Sequence, residues 1–305
     1  MPSSSTAPAR PANFASGVAL AAAGAIAFSG KAIIVKLGYR YGVDAVTLLM
    51  YRMLFALPLF VAMAWWAGLG KAPLTRADWL GVVGLGFSGY YLSSFLDFAG
   101  LQYITASLER LILYLNPTLV LLLAWVMYRK PVRRAQAIGM AVSYSGVVLV
   151  FGHEVTVAGT HVALGAALVF ASAVTYSVYL VYSGQLVQRL GSLRLVGLAT
   201  TVACLCCIAQ FILPRPLASA LVVAPQVIWL SVLNAVLCTA VPVLMVMMAI
   251  ERIGPALSAQ VGMVGPLSTI MMGVVLLGEP FSAWIAAGTA LVIAGIFVVS
   301  RSAGR

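Results

Sequence analysis

The sequence predicts an all-α membrane protein: ten transmembrane helices built as two antiparallel (inverted) five-helix repeats. Three observations carry that fold class. The 305-residue chain is 63% hydrophobic and only 8% charged, against a charged share of about 25% in an ordinary soluble domain, so its solvent is a bilayer. Its apolar runs approach the ~20 residues needed to cross a hydrocarbon core about 30 Å thick. The stretch from Thr105 to Phe151 also has a second copy near the C-terminus, reached without a gap by a shift of about 149 positions.

Under that shift Leu108 falls on Leu257, Pro117 on Pro266, Ala137 on Ala286, Gly139 on Gly288 and Gly146 on Gly295. Chance rarely aligns one pair of prolines and two pairs of glycines in this way. The copies differ most at the turn between their apolar runs, where one reads Arg129, Lys130, Arg133, Arg134 and the other Gly278, Glu279, Ser282, Ala283.

In chain order, residues 1–13 are rich in Pro, Ser and Ala and too polar to pack, and read as a disordered cytoplasmic tail. The next run contains ALAAAGAIA, which resembles a signal-peptide cleavage site. With a shift of about 148, however, Gly17, Ala19, Leu20 and Ser29 fall on Gly165, Ala167, Leu168 and Ser177, so it is a retained helix. Spans are placed at 15–37, 45–67, 79–101, 105–128 and 135–151, then at 163–186, 192–213, 227–249, 256–277 and 283–300. The first repeat covers 14–151 and the second 163–300, with a periplasmic linker at 152–162 and a cytoplasmic tail at 301–305.

An odd number of spans per copy makes the second half enter the membrane from the opposite side, which is why the repeats must be antiparallel. Charge agrees. Ends and loops on the side of the N-terminus carry twelve Lys and Arg residues, from Arg10 to Arg305, against Lys36, Arg40 and Arg215 on the other. The positive-inside rule then puts both termini of this multi-pass protein in the cytoplasm. The net charge of +11 is spread through these short loops, which excludes a nucleic-acid partner. The four cysteines sit inside apolar runs without CxxC spacing and read as small buried side chains, not as a metal site or disulfides.

Ionisable side chains within the spans are Lys31, Arg52, Asp97, Glu109 and Arg110. Each costs on the order of 2.5 to 3.5 kcal/mol if central and unpaired. Helix direction gathers all five in the outer half of the first repeat. One reading is a charge network of Arg52, Asp97 and Glu109, with Arg52 on Asp97 and Lys31 snorkelling outward. The other has Lys31 or Arg52 meeting a substrate carboxylate.

The third span carries Phe87, Tyr90, Tyr91, Ser94, Phe95 and Phe98 at helical spacing, and the sixth carries Ser172, Thr175, Tyr176, Tyr179, Tyr182 and Ser183. Phe28 corresponds to Tyr176 under the repeat, at matching depth across the midplane, so the two can flank one cavity. Gln260 and Asn116 are amides near mid-depth, suited to interhelical hydrogen bonds or to a substrate. Pro117, Pro242 and Pro266 each remove an amide donor and free the carbonyl four residues back, at Leu113, Cys238 and Gly262. In lipid such a break is tolerated only where protein or a water-filled cavity satisfies the freed group. With Gly262 and Gly265 beside Pro266, the ninth span is built to bend, and paired breaks at repeat-equivalent sites point to a transporter's binding region.

These features, and above all GPALSAQVGMVGPLSTIMMGVVLLGEPFSAWIAAGTALVIAGI at 254–296, resemble the EamA-type branch of the drug/metabolite transporter superfamily over residues 14–300. Within it the chain is most similar to bacterial aromatic amino-acid exporters. The resemblance implies a central cavity among helices 1, 3, 4, 6, 8 and 9, opened alternately to each side by rocking of the halves, and export of amino acids or related metabolites. Two departures matter. Small four-helix relatives carry a coupling glutamate in their first helix, where this chain has Lys31 and no acid, so their proton exchange does not transfer. The first copy has Lys130 where the second keeps Glu279, so that glutamate is not read as chemically essential.

The expected function is therefore secondary transport of aromatic or hydrophobic amino acids. The ring would lie among Phe28, Tyr90, Phe95, Tyr176 and Tyr179, and the zwitterion on hydroxyls such as Ser94, on Gln260, on freed carbonyls and on Lys31. The in-class rival is a proton-coupled drug exporter using Asp97 or Glu109. An enzyme finds little support: there is no aspartyl pair in the spans, HEVTV is not HExxH, and GFSGY is not G-x-S-x-G. A non-transporting receptor would not need matched helix breaks. No GxxxxGK[ST] motif is present, so uphill work would draw on an ion gradient. Expected partners are the small-molecule substrate and the lipid bilayer, with no cofactor and no metal.

Overall fold

Backbone polar groups have no water to bond in a hydrocarbon core, so each apolar run satisfies them within itself as a helix. The computed structural model describes residues 11–129, 133–158, 161–214, 222–253, 258, 261–262 and 264–303, and among these there is no strand. The helices are α1 (Pro11–Tyr39), α2 (Ala45–Gly68), α3 (Arg76–Leu101), α4 (in two pieces, Ala106–Leu113 and Asn116–Tyr128), α5 (Arg134–Ala158), α6 (His161–Leu190) and α7 (Ser192–Ile212). They are followed by α8 (Pro225–Ala235 continued through Val236–Ala240 to Val241–Ile253), α9 (Val264–Leu277) and α10 (Ala283–Ala303). Eight of them are long and apolar enough to cross a membrane, and the apolar parts of α9 and α10 are shorter.

Two stretches read as lying outside the spans are partly helical. α1 begins at Pro11, inside the stretch read as a tail, because proline is pre-organised for a first helical turn; residues 1–10 lie outside the described residues. The predicted linker at 152–162 is mostly helix, since α5 runs to Ala158 and α6 starts at His161. Its polar residues have partners that let the helices extend. Glu154 accepts the Thr105 hydroxyl and, at 3.4 Å, the Thr105 N–H. His153 stacks on Trp284 at 5.8 Å, and His161 on Tyr103 at 6.1 Å.

Local chemistry sets the helix ends. Asp44 caps α2 by accepting the Thr47 N–H, Thr75 and Asp78 form a reciprocal capping box at α3, and Thr105 caps α4. At the turn where the two copies diverge, Arg129 ends α4 at φ 51° and its repeat-mate Gly278 ends α9 at φ 74°. The turn needs a left-handed residue in both halves, and only one copy uses glycine for it. All six tryptophans are exposed at span ends: Trp65, Trp66 and Trp125 close α2 and α4, while Trp79, Trp229 and Trp284 open α3, α8 and α10. Such aromatic belts sit at headgroup level.

Small residues let the helices approach closely. A Cβ at Gly139 would lie 2.7 Å from the Gly295 carbonyl oxygen, and one at Gly146 2.6 Å from that of Gly288, so α5 and α10 run antiparallel at backbone contact. Ser143 Oγ donates to Val292 O at 3.4 Å between those pairs. Gly17 packs on Arg252 and Ile253, and its repeat-mate Gly165 packs on Tyr103 and Ile104, so the α1–α8 contact is repeated between α6 and α3. One apolar core joins α1, α2, α3, α7 and α8 through Ile33, Leu49, Phe60, Phe98, Phe211 and Val227. A second joins α4, α5, α6, α9 and α10 through Leu108, Leu111, Val150, Val169, Ile270 and Val292. The four cysteines are free thiols, three of them buried.

Candidate substrate cavity

Between the two cores lies a cavity of about 570 Å³, within the 300 to 1,000 Å³ range of small-molecule sites. α1 contributes Ala21, Ala25, Phe28 and Lys31; α3 contributes Tyr90, Ser93, Ser94 and Asp97; α4 contributes Arg110, Tyr114 and Asn116; α6 contributes Ser172 and Tyr176. α8 adds Thr239 and an apolar wall of Val243, Val246, Met247 and Ile250, and the glycines Gly262 and Gly265 close the side at α9. Arg52 and Met53 of α2 and Val196 and Thr200 of α7 also face it, so the lining extends beyond the six helices that the resemblance implies.

Of the residues predicted to bind substrate, Phe28, Lys31, Tyr90, Ser94 and Tyr176 line the cavity. Phe95 does not. It packs against the first apolar core, because residues Gly86–Leu92 of α3 adopt a π-helical turn. The extra residue in that turn rotates the C-terminal part of the helix by roughly 100°, replacing the predicted stripe with Tyr90, Ser93, Ser94 and Asp97. Tyr179 lies behind the wall: its ring stacks on Tyr176 at 5.6 Å, meets Tyr90 edge-on at 5.0 Å, and its hydroxyl is 3.2 Å from that of Tyr90. Gly89 makes room for the Tyr179 ring, which a Cβ there would overlap. Gln260 lies outside the described residues.

The charges are paired differently from the expected network. Asp97 bonds Lys31 at 2.5 Å, not Arg52, and Lys31 also stands 3.3 Å from Glu109 Oε1. Lys31 therefore does not snorkel; it bridges two buried carboxylates. Arg110 is 4.0 Å from Glu109 and donates to Thr269 Oγ1 at 2.9 Å. Arg52 donates from Nε to Thr239 Oγ1 at 3.1 Å and lies over the Phe98 ring, 5.3 Å from its centroid. The physical reason is direction: α1 aims Lys31 into the gap between α3 and α4, where the acids are, while Arg52 enters from α2 against α8.

The three predicted helix breaks meet three different arrangements. Pro117 sits in the first turn of the second piece of α4, so that span is interrupted and not merely kinked. Before Pro242, α8 widens into a π turn at Val236–Ala240, where Thr239 donates to Asn234 O at 2.9 Å. The carbonyl of Gly262, freed by Pro266, accepts the Tyr114 hydroxyl at 3.2 Å. Ser29 Oγ donates to Gly265 O at 2.7 Å, and its repeat-mate Ser177 Oγ approaches Asn116 O at 3.4 Å and Oδ1 at 3.3 Å. Asn116 is the repeat-mate of Gly265, so one contact occurs twice. Ser29 could have been found from that equivalence; Tyr114 and Thr239 leave no such trace in the sequence.

The cavity extends toward the face where α1 begins and α8 ends, joined there by Arg252 donating to Ser16 Oγ at 3.0 Å. At the opposite end a group of polar contacts converges on Glu279. Glu279 accepts the Ala106 N–H at 2.8 Å and the Ser107 hydroxyl at 3.1 Å, so its carboxylate caps α4. Lys36 lies 3.9 Å from Glu279 and donates to Ile104 O at 2.6 Å; Arg40 donates to Leu277 O at 2.7 Å. These bonds tie the end of α1, the start of α4 and the end of α9 together.

A family model for EamA-like transporters matches the chain twice, over residues 15–152 and 163–301. The chain belongs to the EamA-like transporter family. This EamA-like protein is 30% identical over 268 residues to an uncharacterized transporter, YcbK, of Bacillus subtilis strain 168, covering 84% of this chain and 83% of that one. An uncharacterized transporter of Archaeoglobus fulgidus is 23% identical over 274 residues, covering 90% and 93%. A solved crystal structure superposes with a TM-score of 0.65 at 20% identity, covering 94% of this chain and 97% of its own, a likeness of fold. The protein is thus a multi-pass membrane transporter, not an enzyme.

Proposed function

We propose that this EamA-like transporter exports amino acids, aromatic and hydrophobic ones first, across a bacterial inner membrane by alternating access. The observation that carries the reading is a cavity with two chemistries: aromatic and apolar walls from Phe28, Tyr90, Tyr176, Val243 and Met247, and a charged end holding Lys31, Asp97, Arg52 and Arg110. An amphipathic solute with an apolar side chain and a charged head matches that division. The bonds around Glu279 tie three helices together at one end, as one state of an alternating cycle requires.

The accompanying topology is ten spans in two inverted halves with both chain ends in the cytoplasm. Support comes from the glycine contacts of α5 and α10, which pair each residue with the other's repeat-mate, as a pseudo-twofold axis in the membrane plane demands. The charge asymmetry of the loops supports the orientation. In this state the cavity faces the cytoplasm.

Purified protein in liposomes preloaded with unlabelled amino acids, challenged by a panel of labelled ones, tests the substrate class by counterflow. Phenylalanine, tyrosine or tryptophan should accumulate, and Tyr90→Ala and Tyr176→Ala should cut the rate at least about tenfold, the loss of a few stacking contacts, with folded protein retained. Absence of counterflow with any amino acid sinks the reading. Flux that vanishes without a pH gradient would favour the proton-coupled drug exporter instead.

A further inference from the structure

The charge that the cavity leaves over determines how a substrate would be oriented in it. Two acids, Asp97 and Glu109, are met by two bases, Lys31 and Arg110. Arg52 is the third base. It is 7% exposed, and among the described residues no carboxylate lies within 4.0 Å of it. Thr239 takes its Nε–H, and its Nη1 is buried without a hydrogen-bond partner. On its far edge Arg52 borders a space of about 10 Å³ with Ser231 and Asn234, room for at most one water. The cavity is the place that can bring it an anion, and a buried guanidinium left without one is strongly unfavourable.

Asp97 shows the complementary deficit. It is 3% exposed and lines the same cavity. Lys31 occupies its Oδ2, while Oδ1 is buried with no donor. Arg52 and Asp97 both line the cavity, and each keeps one buried polar atom without a hydrogen-bond partner, as does the Glu109 carboxylate beside them.

Resting on the amino-acid reading above, we propose that Arg52 and Asp97 form a zwitterion clamp: Arg52 binds the substrate's α-carboxylate and Asp97 its α-ammonium. Lys31, held between two carboxylates, is a fixed counter-charge that positions Asp97 and does not touch substrate. The clamp selects α-amino acids over compounds carrying only one of the two charges, and it leaves the side chain to Tyr90 and Tyr176.

Binding of phenylalanine, 2-phenylethylamine and 3-phenylpropionate to the full-length purified protein tests this. Wild-type protein should prefer phenylalanine to either truncated analogue by on the order of 30-fold or more, the usual loss when one side of a buried charge pair is removed. Arg52→Gln should erase the preference over phenylethylamine and keep that over phenylpropionate; Asp97→Asn should do the reverse. A wild-type protein that binds either analogue as tightly as phenylalanine overturns the clamp without any variant, as does an Arg52→Gln protein that keeps its full preference over the amine. Should Arg52→Gln fail to fold, Arg52→Lys retains the charge, and the clamp then requires a partial loss confined to the amine comparison. If the wild type binds none of the three, the amino-acid reading itself fails; if it binds phenylalanine but the variants do not shift preference, only the clamp does.

Discussion

Tyr114 answers a problem created by a single proline. Pro266 cannot donate to Gly262, whose carbonyl would stand unpaired at the cavity wall, and the Tyr114 hydroxyl from another helix supplies the missing donor at 3.2 Å. Tyr114→Phe should therefore lower stability by about 1–3 kcal/mol, the cost of a buried acceptor losing its partner. Pro266→Ala returns an N–H to that carbonyl, so the loss should shrink in the double variant; thermal unfolding in detergent measures the cycle, and additive losses would show that the hydroxyl is not acting on Gly262. At this scale the sequence was half legible. Proline chemistry named the freed carbonyl at Gly262, but the residue that satisfies it comes from more than a hundred positions away in the chain and carries no local signature. The same holds for Lys31. Its charge inside a span was evident, yet whether it would meet Asp97, open water or a substrate depended on where α3 and α4 stood.

Among elements, α3 and the end of α9 shape the site. The π turn at Gly86–Leu92 decides which side of α3 faces the cavity, and so why Phe95 packs against the first core while Ser93 and Asp97 line the cavity. A 3.6-residue period read along the sequence has no means of registering one inserted residue. Glu279 acts on whole helices: placed just past the end of α9, it caps the start of α4 and lies beside Lys36 of α1. Removing it should loosen that end. With the four native cysteines replaced by serine and a single cysteine placed at Ser94, Glu279→Ala should raise labelling of the cavity by an impermeant maleimide added from the side of the α4 N-terminus. Unchanged labelling would show that access from this end does not depend on this carboxylate. The contrast between Glu279 and its repeat-mate Lys130 was visible in the sequence as an asymmetry between copies; its capping role was not, because the partner N–H groups belong to another span.

For the whole molecule, the proposed architecture makes one demand: the two halves must be related by an axis in the membrane plane. The contacts of Gly139 with Gly295 and of Gly146 with Gly288 are what such an axis generates, and the Ser143–Val292 bond joins a residue to its own repeat-mate. Both chain ends should then be reached by impermeant labels from the cytoplasmic face alone. Tags at the N- and C-termini that report opposite faces in protease-protection assays would break the symmetry and the alternating-access reading with it.

The sequence by itself determined that this protein lives in a bilayer, that it repeats, where its helices break and which family it belongs to, because composition, period and proline chemistry are local properties. Only the tertiary structure decided which charges pair, which face of α3 meets the cavity and which helices Glu279 ties together. Those outcomes turn on distances between residues far apart in the chain, and in a low-dielectric interior a few ångströms separate a matched charge from an unmatched one.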